Sequence, residues 1–228
     1  MLTIDPKKKV KSFSTRDYVY EILKENIISL KIKPGQNISE KEISEMLEVS
    51  RTPVREAFVK LAQEELVEVY PQRGTVVSLI DLFHVEEARF IREHLERATV
   101  RVACEKFTDA SLVVLETNLI MQKQCVQENN FEKLFELDEA FHHTISIGCG
   151  KERISLLIQQ MNAHINRIRM LSLAANYNWD LILEQHEQIF NAIKEKKPDV
   201  ADKVMEEHLK KLRFDQENLK IEYSQYFK

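Results

Sequence analysis

Between residues 39 and 65 the chain carries two helix starts so close together that only a tight turn fits between them, and this restricts the possible folds more than any other feature of the 228 residues. Ser39, with Glu42 three positions on, forms a capping box, and Ile43, Met46 and Leu47 give the short helix that follows one apolar face. After Glu48-Val49 a second start appears in Ser50-Arg51-Thr52-Pro53, where Ser50 or Thr52 can cap and Pro53 is acceptable because it lies in the first turn. This helix runs to about Glu65. Two helices so joined, the second opening on small polar and cationic residues, have helix-turn-helix spacing.

That geometry assigns roles. Residues in the first turn of the second helix point at base edges in the major groove, so Arg51 and Arg55, one turn apart, are candidates for guanine O6/N7 or phosphate contacts. Thr52 can reach a phosphate oxygen or a thymine methyl. Ahead of the pair, Val19, Ile22, Leu23, Asn26, Ile27 and Leu30 fall on helical spacing, and Lys33-Pro34-Gly35 ends that helix. Beyond the pair, Leu66–Tyr70 and Thr75–Ser78 flank Pro71-Gln72-Arg73-Gly74, a pattern that predicts a two-stranded wing. Arg73 at its tip would sit beside the phosphate backbone or minor groove, and Gly74 would remove a side chain where backbones approach closely. The same helices and hairpin occur in modules that bind no DNA, but those modules do not require two arginines and a threonine around a capped helix start. The net charge of −4 is no objection, since residues 1–78 hold 13 Lys+Arg against 12 Asp+Glu and the excess acid lies further on. DNA affinity must come from placed cations rather than a bulk basic field.

With only 4 Gly and 5 Pro, the chain has few turn formers, which favours long helices joined by short polar loops. Apolar residues recur at helical spacing over Asp81–Cys104, Ala110–Val126, Phe131–Ile147, Arg153–Leu173, Trp179–Ile193 and Val200–Tyr223, predicting six helices in an antiparallel bundle. The fold class is therefore mostly α. Residues 1–78 form a winged helix-turn-helix of three helices and a two-stranded wing, and residues 79–228 form an all-helical domain that also dimerises. The charged N-terminus has no apolar h-region and no stretch approaches a membrane span, so a cytoplasmic protein with no membrane partner is expected. Cys104, Cys125 and Cys149 lack metal-knuckle spacing and read as reduced, buried thiols.

The polar residues of the bundle carry a second signal. Asp138 and His142 lie one turn apart on a face edged by Phe135, Phe141 and Ile145, while His186 and His208 occupy or border apolar stripes of later helices. Three imidazoles and a carboxylate from three helices suit Zn, Ni, Cu or Fe. Spacing alone leaves two readings open, because a histidine near an apolar face is more often a hydrogen-bonded core residue. His143 is expected to be exposed, and His164, mid-helix, lines a pocket or sits in the core.

The stretch from Ile43 through Ala57, with Lys33-Pro34-Gly35 before it, resembles the winged-helix signature of the GntR family. The resemblance implies operator contacts at Lys41, Arg51, Thr52, Arg55 and the wing Gly74. Glu65 departs from the pattern, standing where the family usually has a glycine C-cap. Leu137–His142, Glu184–Ile189 and Glu207–Leu209 are similar to the FCD-type effector domain of the FadR subfamily. That likeness implies a divalent ion, Zn or Ni foremost, on Asp138, His142, His186 and His208. It further implies a small organic acid as effector, with Arg92, four residues before Glu96, clamping its carboxylate. Gly150-Lys151 replaces the family's Gly-Asn at a helix junction. The expected function is transcription regulation by a homodimer on a two-fold double-stranded operator. The competing reading is a metal-dependent enzyme on a helical bundle, against which stands the lack of a histidine-glutamate pair of the HExxH kind.

Overall fold

Where the sequence offers a capping side chain, a helix begins. The structure, a computed structural model, describes residues 14–70, 74–175 and 179–228, with the backbone alone described at 212–216. Helix α1 (Thr15–Ile28) opens on Ser14, whose Oγ accepts from the Asp17 N–H at 3.1 Å. Strand β1 (Asn37–Ile38) leads into α2 (Glu40–Met46), where Ser39 Oγ accepts from the Glu42 N–H at 3.1 Å. Helix α3 (Arg51–Gln63) follows, with Ser50 at its N-cap making no side-chain cap bond, and then β2 (Val67–Tyr70) and β3 (Gly74–Val77). The chain divides into two compact units, one comprising the N-terminal residues through Leu82 with Glu222–Lys228, the other Phe83–Ile221.

In the first unit, Val19, Ile22, Leu23 and Ile27 of α1 pack with Val54, Ala57, Phe58 and Leu61 of α3, all nearly or fully buried. With that face of α3 buried, Thr52 lies opposite it and Arg51 and Arg55 flank it, all three exposed. The wing has three strands rather than the two read from sequence, in the order β1-β3-β2 and antiparallel throughout. The extra strand is two residues long, too short to show alternation. It is placed by bonds of the preceding turn, Gly35 N–H to the Val77 carbonyl at 2.8 Å and Val77 N–H to the Gln36 carbonyl at 2.9 Å. Arg73 lies outside the described residues, as do residues 176–178 between two of the predicted helical spans. The last residues return to this unit: Ile80 N–H donates to the Tyr226 carbonyl at 2.8 Å, and Lys228 N–H to the Ile80 carbonyl at 3.0 Å.

The second unit is helical: α4 (Leu82–Lys106), α5 (Asp109–Gln127), α6 (Phe131–Gly148), α7 (Glu152–Met161), α8 (Ala163–Ala174), α9 (Trp179–Lys194) and α10 (Pro198–Glu222). The segment predicted as one helix over Arg153–Leu173 is two, because the chain turns at Asn162 (φ −82°, ψ 4°). Asn162 is buried, and its Oδ1 has no hydrogen-bond partner. Helix α6 packs against α5, α7 and α8, and α5 also packs against α9. Phe141, Ile145, Leu115, Leu119, Ile189 and Met205 lie in one buried cluster, and Leu134, Leu137, Leu173 and Trp179 in another. Ion pairs from Arg97 to Asp202 at 2.6 Å and from Arg101 to Asp199 at 2.8 Å tie α4 to α10. No described helix is long and apolar enough to cross a membrane.

Scarcity of glycine shows at the helix ends. Glu48, Glu65, Asn129 and Lys196 take left-handed backbone angles (φ 53–59°), a conformation that glycine adopts without strain. Each is followed by a residue whose N–H reaches back five positions: Val49 to Ser44, Leu66 to Leu61, Asn130 to Cys125 and Lys197 to Ala192. Glu65, the departure noted in the sequence, therefore does the conformational work of a glycine at φ 59°. Glu65→Gly is expected to raise stability by about 0.5–1 kcal/mol, the relief of the left-handed Cβ less the entropy glycine gains in the unfolded chain. The check is the urea midpoint at constant m; an unchanged or lower midpoint contradicts the assignment of strain.

Candidate metal centre and nucleic-acid face

The bundle brings Asp138, His142, His186 and His208 together from α6, α9 and α10, with one ligand atom of each within 4.8 Å of all the others. What orients them is the outer edge of each ring. His186 Nδ1 lies 2.8 Å from Gln122 Oε1 on α5. Gln122 is itself fixed, since its Nε2 donates to Asn118 Oδ1 at 2.6 Å and Asn118 Nδ2 donates to the Leu137 carbonyl at 2.9 Å. His208 Nδ1 lies 3.1 Å from Gln185 Oε1. His142 Nδ1 meets Glu96 Oε2 on α4, and the other oxygen of Glu96 accepts from Arg92 Nε at 2.7 Å. Burial alone would raise the Glu96 pKa, but Arg92 and His142 hold it well below the usual carboxylate range.

Amide oxygens only accept, so Nδ1 of His186 and of His208 carries the ring proton and the Nε2 of each turns a lone pair inward. His142 Nε2 and His208 Nε2 stand 3.2 Å apart. His186 Nε2 is 3.5 Å from Asp138 Oδ1, and His142 Nε2 is 3.9 Å from Asp138 Oδ2. His186 is fully buried, stacks on Phe141 with ring centroids 4.3 Å apart, and has no hydrogen-bond partner at Nε2. Loss of hydration, reinforced by the neighbouring imidazoles, holds His186 and His208 well below the ordinary histidine pKa, so both are neutral.

A pocket of about 60 Å³ opens beside the cluster, its wall including Arg92, Leu134, Asp138, Arg169, Leu173 and His208. Arg92 is buried on this wall with its Nε held by Glu96. Arg169, which the sequence reading did not single out, bonds Asp138 and Glu139, donates to Asn166 Oδ1 at 2.9 Å, and lies 5.0 Å from the Phe135 ring centroid. Gln122, Gln185 and Glu96 were also missed. One signal was present: Leu115, Asn118, Leu119, Gln122 and Cys125 form a core stripe of α5, in which two amides stand where apolar residues belong. Of two other histidines, His143 is less exposed than the sequence suggests, and His164 is buried, one of its two expected settings, but at a helix start rather than mid-helix. His143 is half-buried, its Nδ1 2.7 Å from Ser155 Oγ across to α7. His164 is the second residue of α8, buried, with Nδ1 2.8 Å from Arg167 Nη2. The three cysteines are buried and free. Lys151, in place of the family's asparagine, caps α7 without a side-chain bond.

On the first unit, Lys41, Arg51, Thr52 and Arg55 are exposed around the start of α3. Arg55 is bound in bidentate fashion by Glu40, Nε to Oε1 at 3.0 Å and Nη2 to Oε2 at 3.1 Å, a partnership the sequence reading missed. Gly74 is needed for a reason other than the one expected: a Cβ there would meet nothing within 4 Å, but its φ of +101° disfavours any side chain.

Comparison with known proteins converges on the same division. The model of bacterial regulatory proteins of the gntR family matches residues 15–77, and that of the FCD domain matches residues 87–211. The chain is 33% identical over 209 residues to the HTH-type transcriptional repressor RspR of Escherichia coli K12, covering 92% of each. It is 32% identical over 214 residues to an HTH-type transcriptional regulator of Streptomyces ambofaciens, covering 94% of this chain and 90% of that one. In fold it is similar to E. coli McbR/YncC (TM-score 0.78, 24% identity, 94% of this chain and 100% of that one). A GntR regulator from Rhodococcus sp. RHA1 is similar too (TM-score 0.75, 23% identity, 90% and 97%). These relatives are transcription regulators rather than enzymes, and with a gntR-type helix-turn-helix ahead of an FCD domain, the chain belongs to the GntR family of bacterial transcriptional regulators.

Proposed function

We propose that this regulator holds one divalent metal ion on Asp138, His142, His186 and His208, and that a small organic acid in the adjoining pocket alters how a homodimer fits a two-fold DNA operator. One observation carries the metal reading. His186 is fully buried with no hydrogen-bond partner at Nε2, and that nitrogen faces Asp138 Oδ1 at 3.5 Å, beside the His142 and His208 Nε2 atoms 3.2 Å apart. A buried, unpartnered lone pair among two further imidazoles and a carboxylate suits a bound cation. Nitrogens about 2.0–2.1 Å from one tetrahedral ion stand about 3.3 Å apart, which is close to the observed separation. Three imidazoles and one carboxylate suit Zn or Ni, and a ligand oxygen would join such an ion by expanding its coordination beyond the four protein ligands.

The residues of the chain do the rest. Glu96, Gln122 and Gln185 fix the aim of the three rings. Arg89, Arg92 and Arg169 put three guanidiniums, and Lys211 an ammonium, on a wall whose remainder is mostly leucine and isoleucine, which favours a carboxylate on a small hydrocarbon body. Asp138 joins the two functions, being both a ligand and the partner of Arg169, so an acid that engages Arg169 also acts on the metal set. The helical domain, residues 79–228 as read from sequence, carries effector and dimer contacts. Residues 1–78 carry the operator contacts: Lys41, Arg51, Thr52, Arg55, Arg73 and Gly74.

Protein stripped with chelator and reloaded with Zn or Ni is expected to retain one ion per chain by mass spectrometry, and His208→Ala to retain none. Gln122→Leu, which keeps the volume but frees His186, should weaken metal affinity about 10- to 100-fold with the helical signal intact. Full affinity in that variant would contradict the role given to the outer hydrogen bonds.

For the DNA face, Arg51→Ala with Arg55→Ala in the full chain is expected to abolish sequence-specific binding in an anisotropy assay against genomic fragments. Small organic acids should shift the affinity of the metal-loaded wild type and leave that of stripped protein unchanged. Undiminished affinity in the double variant overturns the recognition-helix assignment, and an acid effect that persists without metal overturns the proposed coupling.

A further inference from the structure

The pairing of Glu40 with Arg55 is a surface feature that the fold does not need. Arg55 is 71% exposed and Glu40 31%, and an ion pair so open to water adds little to stability. The two helices it joins are already fixed by buried Ile43, Leu47, Val54 and Phe58. A carboxylate beside the first turn of a recognition helix also repels DNA phosphates. It weakens non-specific binding while contributing little to folding, so its geometry calls for a different account.

The carboxylate engages one edge of the guanidinium, the Nε/Nη2 edge, through two bonds of 3.0 and 3.1 Å. The other edge, Nη1 with the second hydrogen of Nη2, is left facing outward, and this edge fits the O6/N7 fork of a guanine in the major groove. A long arginine loses rotamer freedom when it binds a base, and a side chain already held in place loses less. Pairing also offsets the charge that would draw the guanidinium to phosphate. Arg51, at the opposite end of the same turn, is not bonded to Glu40, although its charge also helps hold the Glu40 carboxyl below its ordinary pKa. The two arginines of the helix are thus held differently.

We propose that Glu40 is a specificity-determining residue: it orients Arg55 to read one guanine in each operator half-site, instead of leaving it to a phosphate. This rests on the reading of α3 as the recognition helix and is independent of the metal centre.

The test uses the full chain and a duplex selected by the wild type from a random-sequence pool. Binding is then measured for that duplex, for derivatives with each base pair replaced in turn, and for an unrelated duplex. In the wild type, replacing the guanine read by Arg55 should cost about 5- to 150-fold in affinity. Glu40→Gln, with an unchanged melting temperature, should lose most of that discrimination at the same position as Arg55→Ala and at no other, while binding the unrelated duplex as tightly as the wild type or more tightly. Glu40→Ala should reproduce the signature, and adding Glu40→Gln to Arg55→Ala should change discrimination no further. The proposal is overturned if Glu40→Gln tightens binding to every duplex alike with base discrimination intact. It is also overturned if either variant loses affinity evenly across positions, or if Arg55→Ala keeps full discrimination. A pool that yields no enriched sequence counts instead against the recognition helix itself.

Discussion

Three imidazole rings and the Asp138 carboxylate converge inside a helical bundle, and much of the second unit is arranged to hold them there. Glu96 on α4, Gln122 on α5 and Gln185 on α9 each fix one ring, and Arg92 and Asn118 in turn fix Glu96 and Gln122. Removing one of these acceptors would let a ring rotate or change tautomer, and the convergence would be lost. An ordinary packed core would be better served by leucine at such positions, because buried polar groups destabilise a core unless every one is satisfied. Stability is given up here for the orientation of the rings. The ion pairs between α4 and α10 act in the same direction, since they register His208 on one helix with Glu96 on the other.

In the first unit the controlling constraint is the apolar face of α3. Once Val54, Ala57, Phe58 and Leu61 are buried, the 100° step of the helix leaves Arg51, Thr52 and Arg55 no choice but to face solvent. How those side chains are held is then decided by their neighbours, and Glu40 holds Arg55. Orientation by a neighbouring acceptor thus recurs in both units: a carboxylate steers an arginine in one, and a carboxylate and two amides steer imidazoles in the other.

The elements were legible in the sequence wherever local chemistry specifies them. Capping by Ser39, the tight spacing before Arg51 and the helical periodicity of the C-terminal residues all describe interactions within a few positions. Strand β1 was not legible, because two residues hold no pattern and their pairing depends on Val76 and Thr75, nearly forty positions away in sequence. The break at Asn162 was hidden in an apolar repeat that continues across it. For the site, the four candidate ligands stood out as polar residues on apolar faces, and the structure brings all four together. Their supporting residues did not stand out. Arg169 and Gln185 look like ordinary polar helix residues until the packing shows what they touch, and Glu40 lies fifteen residues from the arginine it holds. Side-chain partnerships across helices are set by tertiary packing, and periodicity carries no information about them.

The central claim is that the inward lone pairs meet on one ion. It is tested most directly by anomalous diffraction from crystals of the zinc- or nickel-loaded protein, collected at the absorption edge of the metal. The account predicts a single strong peak per chain within bonding distance of Nε2 of His142, His186 and His208 and of a carboxylate oxygen of Asp138. A peak coordinated through an Nδ1 nitrogen, a peak elsewhere on the chain, or loaded crystals with no peak between these four residues would contradict it.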